Sequence, residues 1–282
     1  MKMNKTVAMR LISFIYAFLL TLILVGLFTG LGIGFGVLNN RSVLHYLDEC
    51  NYYNKVYEVL YDRASQDIEE AGFPTSVLEE AITLERVYIT GRSYHAAVLN
   101  GEEAASLKTD KLKDALEDNL KQYLKAKGAK PDKLTTELEQ LIHTIEQDYI
   151  DAINLPALAM IAEYRANYLK VVLYLMPLMI LMAASLCYLL LRMYRNRYIH
   201  RGVRYITYAM MSASILISAM AGYLLLTRPY DGILTQPDYY QSFLNEYLHG
   251  SIAIFIYIGG MGLLFSLVLM SLVSYLKNRM KK

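Results

Sequence analysis

The sequence predicts an all-α membrane protein with four transmembrane helices and a helical bundle inserted between the first and second. Three observations lead to this fold class. Of the 282 residues, 55% are hydrophobic, well above the share in soluble proteins. Four long stretches carry no charge, and all 26 acidic residues lie within 39–170 and 228–249. The chain therefore combines helices able to cross about 30 Å of hydrocarbon with one charged, water-exposed segment.

The transmembrane helices are the most strongly marked elements. Each has the length and the uncharged composition of a bilayer-spanning helix. The first stretch follows a basic start, as a signal peptide does, but its 28 uncharged residues exceed the roughly 7–15-residue core of a cleaved signal. It is expected to remain as a signal anchor. The four spans are expected at 11–38, 171–191, 205–226 and 251–276.

The distribution of charge predicts the orientation in the cell membrane. The segments 1–10, 192–204 and 277–282 together hold 12 basic residues and no acidic one, whereas the rest of the chain has 16 basic and 26 acidic residues. By the positive-inside rule both termini are cytoplasmic, and residues 39–170 and 227–250 are extracytoplasmic.

Basic residues beside the spans are expected to contact anionic lipid headgroups. The tyrosines among them would also suit nucleic acid, but their position next to the membrane is explained by lipid, so no nucleic-acid partner is predicted. The residues expected at the membrane surface are Arg192, Arg195, Arg197, Arg201, Arg204, Lys277, Arg279, Lys281 and Lys282.

The outer segment 39–170 is divided by helix breakers at Gly72-Phe73-Pro74, Asn100-Gly101 and Gly128-Ala129-Lys130-Pro131. Thr75 is expected to cap the second of the resulting helices. Apolar residues recur at alternating steps of three and four in these segments, which indicates an antiparallel four-helix bundle. Its helices are expected at about 40–71, 75–99 and 102–127, with a fourth that starts near 132 and ends before Pro156.

The second outer loop, 227–250, contains four tyrosines and a phenylalanine. Because Pro237 suits the start of a helix, residues 237–248 are expected to form a short amphipathic helix at the membrane interface. Its tyrosines would anchor the protein at the level of the headgroups.

Small residues at steps of four predict close packing of the spans, since glycine and serine let helices approach in lipid. The spans also contain no Asp, Glu, Lys, Arg or His in their apolar cores, which argues against proton-coupled transport and intramembrane catalysis. The residues expected at helix contacts are Gly26, Gly30, Gly34, Ser214, Ser218, Gly222 and Gly259.

No catalytic residue, metal ligand or cofactor site is predicted. His45 and Glu49 share a helix face, but the chain has no HExxH, HxxxH or CxxC pattern, no GxxxxGK[ST] loop and no GxSxG turn. His95 falls on an apolar seam near Tyr88. A core histidine is the favoured interpretation, and the alternative is a pH-sensing or ligand-contacting pair of His95 and Tyr88.

Three functional hypotheses follow. The layout is similar in architecture to the periplasmic sensing bundles of bacterial receptors, although no motif assigns a family. The leading hypothesis is a non-enzymatic sensor or accessory subunit of a cell-envelope complex that binds a ligand or a protein partner through its outer bundle. The alternatives are a subunit of an oligomeric transporter or channel, and a membrane enzyme with an outer site. Convergence of His45, His95, His143 and His249 would favour the enzyme.

Overall fold

A computed structural model describes residues 5–102, 106–128, 136–195, 198–232 and 237–279. The regular elements in these ranges are helical, which confirms the expected all-α class. A π-helical turn, Ile33–Val37, continues the first helix, and 3₁₀ turns occupy Thr75–Leu78 and Pro229–Gly232. The α-helices are α1 (Lys5–Gly32), α2 (Asn40–Glu49), α3 (Tyr52–Glu70), α4 (Leu84–Asn100), α5 (Asp110–Ala126), α6 (Thr136–Ile153), α7 (Pro156–Met193), α8 (Ile199–Thr227) and α9 (Asp238–Arg279).

Four helical stretches are long and apolar enough to cross a membrane, in agreement with the number of spans expected from the sequence. They are Val7–Val37, Pro156–Met193, Ile199–Gly232 and Asp238–Asn278. Lipid offers no partner to backbone N–H and C=O groups, so an uninterrupted helix is the conformation that satisfies them there. A multi-pass membrane protein is therefore compatible with the fold.

The chain divides into two compact units. The apolar unit comprises Met1–Asn39, Arg165–Ile233 and Tyr247–Lys282. The bundle unit comprises Asn40–Tyr164 and Leu234–Glu246.

The apolar unit has a core of leucine and alanine from α1, α7 and α8: Leu20, Leu24, Leu190, Ala209 and Ala213. Several hydroxyl groups on α1 and α8 donate within their own helix. Ser13, Thr207 and Ser214 each donate to the carbonyl four residues earlier, at 2.8–2.9 Å. These polar side chains are thereby accommodated in an apolar environment.

In the bundle unit, α3 packs against α4 and α6, and α5 packs against α6 and the turn Thr75–Leu78. One face of α3 is buried at steps of three and four, as expected for an amphipathic helix. The same holds for α5, where Leu112, Leu116 and Leu120 are buried. The buried face of α3 consists of Tyr52, Tyr53, Val56, Leu60, Ala64 and Ile68.

The three predicted helix breaks are confirmed. Gly72, Gly101 and Gly128 have φ angles of 81°, 74° and 80°, which glycine adopts without a steric penalty. At Gly101 the N–H of Glu102 donates to the carbonyl of Ala97 at 3.1 Å, and the N–H of Gly101 donates to the carbonyl of Val98 at 3.0 Å. Such bonds satisfy the last carbonyls of a helix and end it.

Two of the expected helix boundaries are wrong. The helix expected at 40–71 is interrupted, because Asn51 adopts a left-handed conformation with φ 52°, which asparagine tolerates better than most residues. The helix expected from residue 75 begins at Leu84, because the side chain of Thr83, rather than that of Thr75, accepts the N–H of Arg86 at 3.2 Å. Thr75–Leu78 form a 3₁₀ turn instead.

Further differences concern the ends of later helices. The helix expected from 102 begins at Asp110. The short helix expected at 237–248 is not separate, since α9 runs without a break from Asp238 to Arg279. The expected start at 132 lies outside the described residues, and the described part of α6 begins at Thr136.

Candidate functional site

Aromatic side chains form a buried cluster in the bundle unit. Tyr52 lies at its centre and is fully buried. Most of the rings meet edge to face, an arrangement that aromatic pairs favour. The aromatic cluster comprises Tyr52 and five rings with centroids 5.4–6.4 Å from it: Tyr53, His95, Tyr239, Tyr240 and Phe243.

His95 is fully buried and both of its ring nitrogens have partners. Nε2 lies 2.8 Å from the carbonyl oxygen of Ile153, and Nδ1 lies 3.1 Å from the hydroxyl of Tyr53. Because a carbonyl only accepts, Nε2 carries the proton of the neutral ring and Nδ1 accepts from Tyr53. Burial lowers the pKa of His95 from 6.5 to about 4. This geometry favours the core-histidine interpretation.

The aromatic cluster also terminates α6. The last carbonyls of a helix have no partner within it, and here three side chains supply donors. The hydroxyl of Tyr239 donates to the carbonyl of Ala152 at 3.4 Å, His95 donates to that of Ile153, and the hydroxyl of Tyr240 donates to that of Asn154 at 2.6 Å. The polar atoms of these three side chains therefore have a structural role.

The pKa of His95 predicts a loss of stability in acid. Between pH 6.5 and about 4 the unfolded chain binds a proton that the folded chain excludes. The stabilisation is thus complete above pH 6.5 and lost as the pH falls to about 4. Unfolding of the full chain in nanodiscs, followed by near-ultraviolet circular dichroism, should become easier by about 3 kcal/mol over this interval.

His95→Gln is the control for this prediction, because its amide can donate to Ile153 and does not titrate. We expect the variant to show a smaller pH dependence than the native chain across the same interval. Equal slopes for the two proteins would contradict the assignment.

Tyr88, the other expected ligand contact, is 40% exposed. Its ring packs edge to face against Tyr53, with centroids 5.2 Å apart. Ligand binding by His95 and Tyr88 stays a prediction.

A polar groove runs along α4 within the bundle unit, with a volume of about 640 Å³. Its floor residues on α4 recur at steps of three and four, so they occupy one face of the helix. The segment 106–111 forms the facing wall. The α4 groove is lined by Arg86, Ile89, Thr90, Ser93, Tyr94, Ala97, Glu102, Ser106, Lys108, Asp110 and Lys111.

The α4 groove combines charges of both signs with hydroxyl groups. Arg86 and Lys111 lie at the first turns of α4 and α5, whereas Glu102 follows the end of α4. The guanidinium of Arg86 is held in place, because Nη1 donates to the carbonyl of Ala81 at 2.5 Å and to that of Lys111 at 3.5 Å. From Arg86 to Ala97 the helix rises about 16 Å. The groove is thus elongated, with Arg86, Lys111 and Asp110 towards one end and Glu102 towards the other.

The basic residues expected at the membrane surface lie in the apolar unit. Arg192, Arg195, Arg201, Arg204 and Lys277 are exposed, and the ion pairs among the described residues involve none of them. Outside the described residues lie Arg197, Lys281, Lys282 and the side chain of Arg279.

Several of the small residues expected at helix contacts face a neighbouring helix. Gly26 and Gly30 on α1 lie against Met179 and Met176 of α7, and Gly34 lies against Tyr168. Gly259 on α9 lies against Ser218 of α8, and Ser214 lies against Gly262. Gly222, by contrast, faces open space.

Sequence reasoning missed a close approach of one helix to the backbone of another. A Cβ atom on Gly202 of α8 would lie 2.8 Å from the carbonyl oxygen of Leu190 on α7. Gly202 belongs to no series of small residues at steps of four. The one sequence signal for a close helix contact is its position just after the short connection between α7 and α8. The α4 groove was also missed, because its walls depend on how α4 and α5 are placed.

The histidines have separate environments. Nε2 of His45 lies 3.4 Å from Glu49, and Nδ1 of His143 lies 3.7 Å from Glu146. In the apolar unit, Nδ1 of His249 lies 3.2 Å from the hydroxyl of Tyr230. Among the described residues no group of three or more His, Cys, Asp or Glu side chains has the geometry to hold a metal ion.

Comparison with protein-family models, with curated proteins and with solved structures finds no match to this chain.

Proposed function

We propose that this chain is a multi-pass protein of the cell membrane that presents a ligand-binding helical bundle on the extracytoplasmic side. It serves as a sensor or accessory subunit of an envelope complex and works with a partner protein. The orientation rests on the asymmetry of charge, since residues 1–38, 171–227 and 250–282 contain no acidic side chain and basic residues favour the cytoplasmic face.

The α4 groove is the observation that carries the binding function. Ligand sites are typically concave, with volumes of about 300–1,000 Å³ and a few polar groups that orient the ligand. The groove has this size and holds three cations, two carboxylates and several hydroxyls. In the aromatic cluster, by contrast, the donors of His95, Tyr239 and Tyr240 are engaged in ending α6.

The charges of the α4 groove fit an amphoteric ligand. Arg86 and Lys111 suit a carboxylate, and Glu102 suits an ammonium group at the other end. An extended chain of three to five residues spans roughly 10–17 Å, close to the rise of α4 along the groove. The ligand class proposed is an amino acid or a short peptide.

Ligand binding should be measurable as a thermal shift of the full chain in nanodiscs. The probes are the twenty amino acids and tri-, tetra- and pentaalanine at millimolar concentration. At a probe concentration of about 100 times Kd, binding stabilises the folded state by about 2.7 kcal/mol, which raises the melting temperature by roughly 5–10 °C in a protein of this size. Ser93→Trp, which fills the groove, should abolish the shift.

Gln122→Trp is the matched control, because residue 122 is exposed on α5 and does not line the groove. It should keep the full shift. No shift with any of these probes, or an equal loss in both tryptophan variants, would contradict the proposal.

A further inference from the structure

Basic side chains from three helices converge in the apolar unit, at the ends of α1, α8 and α9. Arg10 of α1 and Arg201 of α8 both lie within electrostatic range of Tyr205. Arg201, Arg204 and Lys277 of α9 lie within range of His200. Arg10, Arg201, Arg204 and Lys277 are called here the basic cluster.

Packed aromatic side chains lie next to the basic cluster. Tyr194 is buried, its ring stacks on Tyr205 with centroids 6.1 Å apart, and its hydroxyl lies 3.0 Å from Oγ of Ser13 on α1. The guanidinium of Arg201 lies over the ring of Tyr198, 4.5 Å from its centroid. These contacts hold the start of α8 against α1, and Arg201 has a fixed neighbour in the ring of Tyr198.

The apolar unit provides no counter-charge for these cations. Its only carboxylate among the described residues is Asp231, which lies beyond the opposite end of α8. The helix rises about 35 Å between Arg204 and Thr227, several times the Debye length at physiological salt. Four like charges in one place repel each other, so an anion from outside this unit would relieve the repulsion.

An apolar groove of about 300 Å³ begins beside the basic cluster and runs between α1 and α8. On α1 it is lined by Phe14, Ala17, Phe18 and Thr21. These residues follow Arg10 at steps of three and four, so they lie on the same face of α1 as Arg10. On α8, Tyr205, Tyr208, Ser212 and Leu216 continue the stripe of Arg201 in the same way. Each helix therefore places one arginine at the mouth of an apolar groove.

We propose that the basic cluster and this groove form one binding site for an anionic phospholipid, in addition to the ligand site in the bundle unit. The phosphodiester of the headgroup lies between Arg10 and Arg201, where guanidinium groups form charge-assisted hydrogen bonds to phosphate oxygens. One acyl chain occupies the groove between α1 and α8. The pairing of a charged mouth with an apolar groove favours a lipid over free phosphate.

The test is native mass spectrometry of the full chain in neutral detergent with added phosphatidylglycerol, phosphatidylcholine or inorganic phosphate. We expect retained phosphatidylglycerol in excess of phosphatidylcholine. The double variant Arg10→Gln/Arg201→Gln should reduce its affinity by about tenfold or more, since each cation near a lipid surface contributes about 1 kcal/mol. Ser212→Trp, which obstructs the groove and keeps every charge, should also reduce retention.

The matched control is Lys170→Gln/Arg228→Gln, which removes the same charge from exposed positions outside the cluster, one in α7 and one after the end of α8 opposite to Arg201. It should retain phosphatidylglycerol within about twofold of the native chain. Equal losses in the two double variants would show diffuse surface attraction and overturn the site. Retention of inorganic phosphate in place of lipid, or full lipid retention by Ser212→Trp, would overturn the role of the groove.

Discussion

Replacing Gly202 with alanine is expected to destabilise the apolar unit by about 1–3 kcal/mol, the usual range for overpacking. The new Cβ would lie 2.8 Å from the carbonyl oxygen of Leu190 and 3.3 Å from the Cα of Leu191. Both contacts are with backbone, which cannot rotate away as a long side chain can. The two helices must separate at this point. Thermal unfolding of the full chain in nanodiscs measures the effect.

The same exchange at Gly222 is the control for Gly202, because Gly222 faces open space in the same helix. Alanine there removes backbone freedom from the unfolded chain and should be neutral or stabilising by up to about 1 kcal/mol. The Gly202→Ala variant should thus melt at a lower temperature than the native chain, and the Gly222→Ala variant should not. A Gly202→Ala protein as stable as Gly222→Ala would show that α7 and α8 do not approach each other here.

Gly202 also illustrates what the sequence could not predict. The apolar spans and the glycine breaks are local properties: uncharged length predicts a span, and Gly72 or Gly101 ends a helix by its own conformational freedom. The approach of Gly202 to Leu190 depends on the placement of two helices. Small residues at steps of four mark some helix contacts, such as that of Gly259 with Ser218. The series Ser214, Ser218 and Gly222 follows the same rule, yet Gly222 faces open space.

In the bundle unit, too, buried positions depend on how the helices pack and are only partly predicted by the local sequence. The steps of three and four in the first outer segment predict an apolar seam of Tyr46, Cys50, Tyr53, Tyr57, Leu60 and Ala64. Three of these residues, Tyr46, Cys50 and Tyr57, are only partly buried, whereas Val43 and Leu47 are fully buried. The left-handed conformation of Asn51 separates α2 from α3 and changes which positions of the chain face the core. No periodicity in the sequence marks this change. Likewise, Thr83 rather than Thr75 caps α4, and Leu84 is 41% exposed as a result.

The aromatic cluster was beyond sequence reasoning, because its members are far apart in the chain. Tyr239 was expected as an interfacial anchor and Tyr53 as a seam residue of the first outer helix. In the structure both pack against Tyr52. What brings them together is the end of α6, whose carbonyls need donors. When the donors that cap a helix come from side chains far away in the chain, the sequence around the helix end does not predict them.

Tyr52→Ala is expected to have the largest effect on the bundle unit, a loss of about 3–5 kcal/mol in the free energy of unfolding, as for other large aromatic truncations. The ring is fully buried and contacts five other rings, so its removal leaves a cavity among side chains that also cap α6. Rigid neighbours on three helices limit how far the cavity can collapse. Near-ultraviolet circular dichroism of the tyrosines, with thermal unfolding, measures both the packing and the stability.

Tyr52→Phe separates the contribution of the ring from that of the hydroxyl. It keeps the five ring contacts, so we expect it to lose no more than the net contribution of one hydrogen bond, about 0.5–1.5 kcal/mol. If the ring is the central packing element, the alanine variant must be destabilised several times more than the phenylalanine variant. Similar losses in both variants would show that the hydroxyl, and not the ring, provides the stabilisation. Negligible losses in both would show that Tyr52 is not at the centre of a packed core.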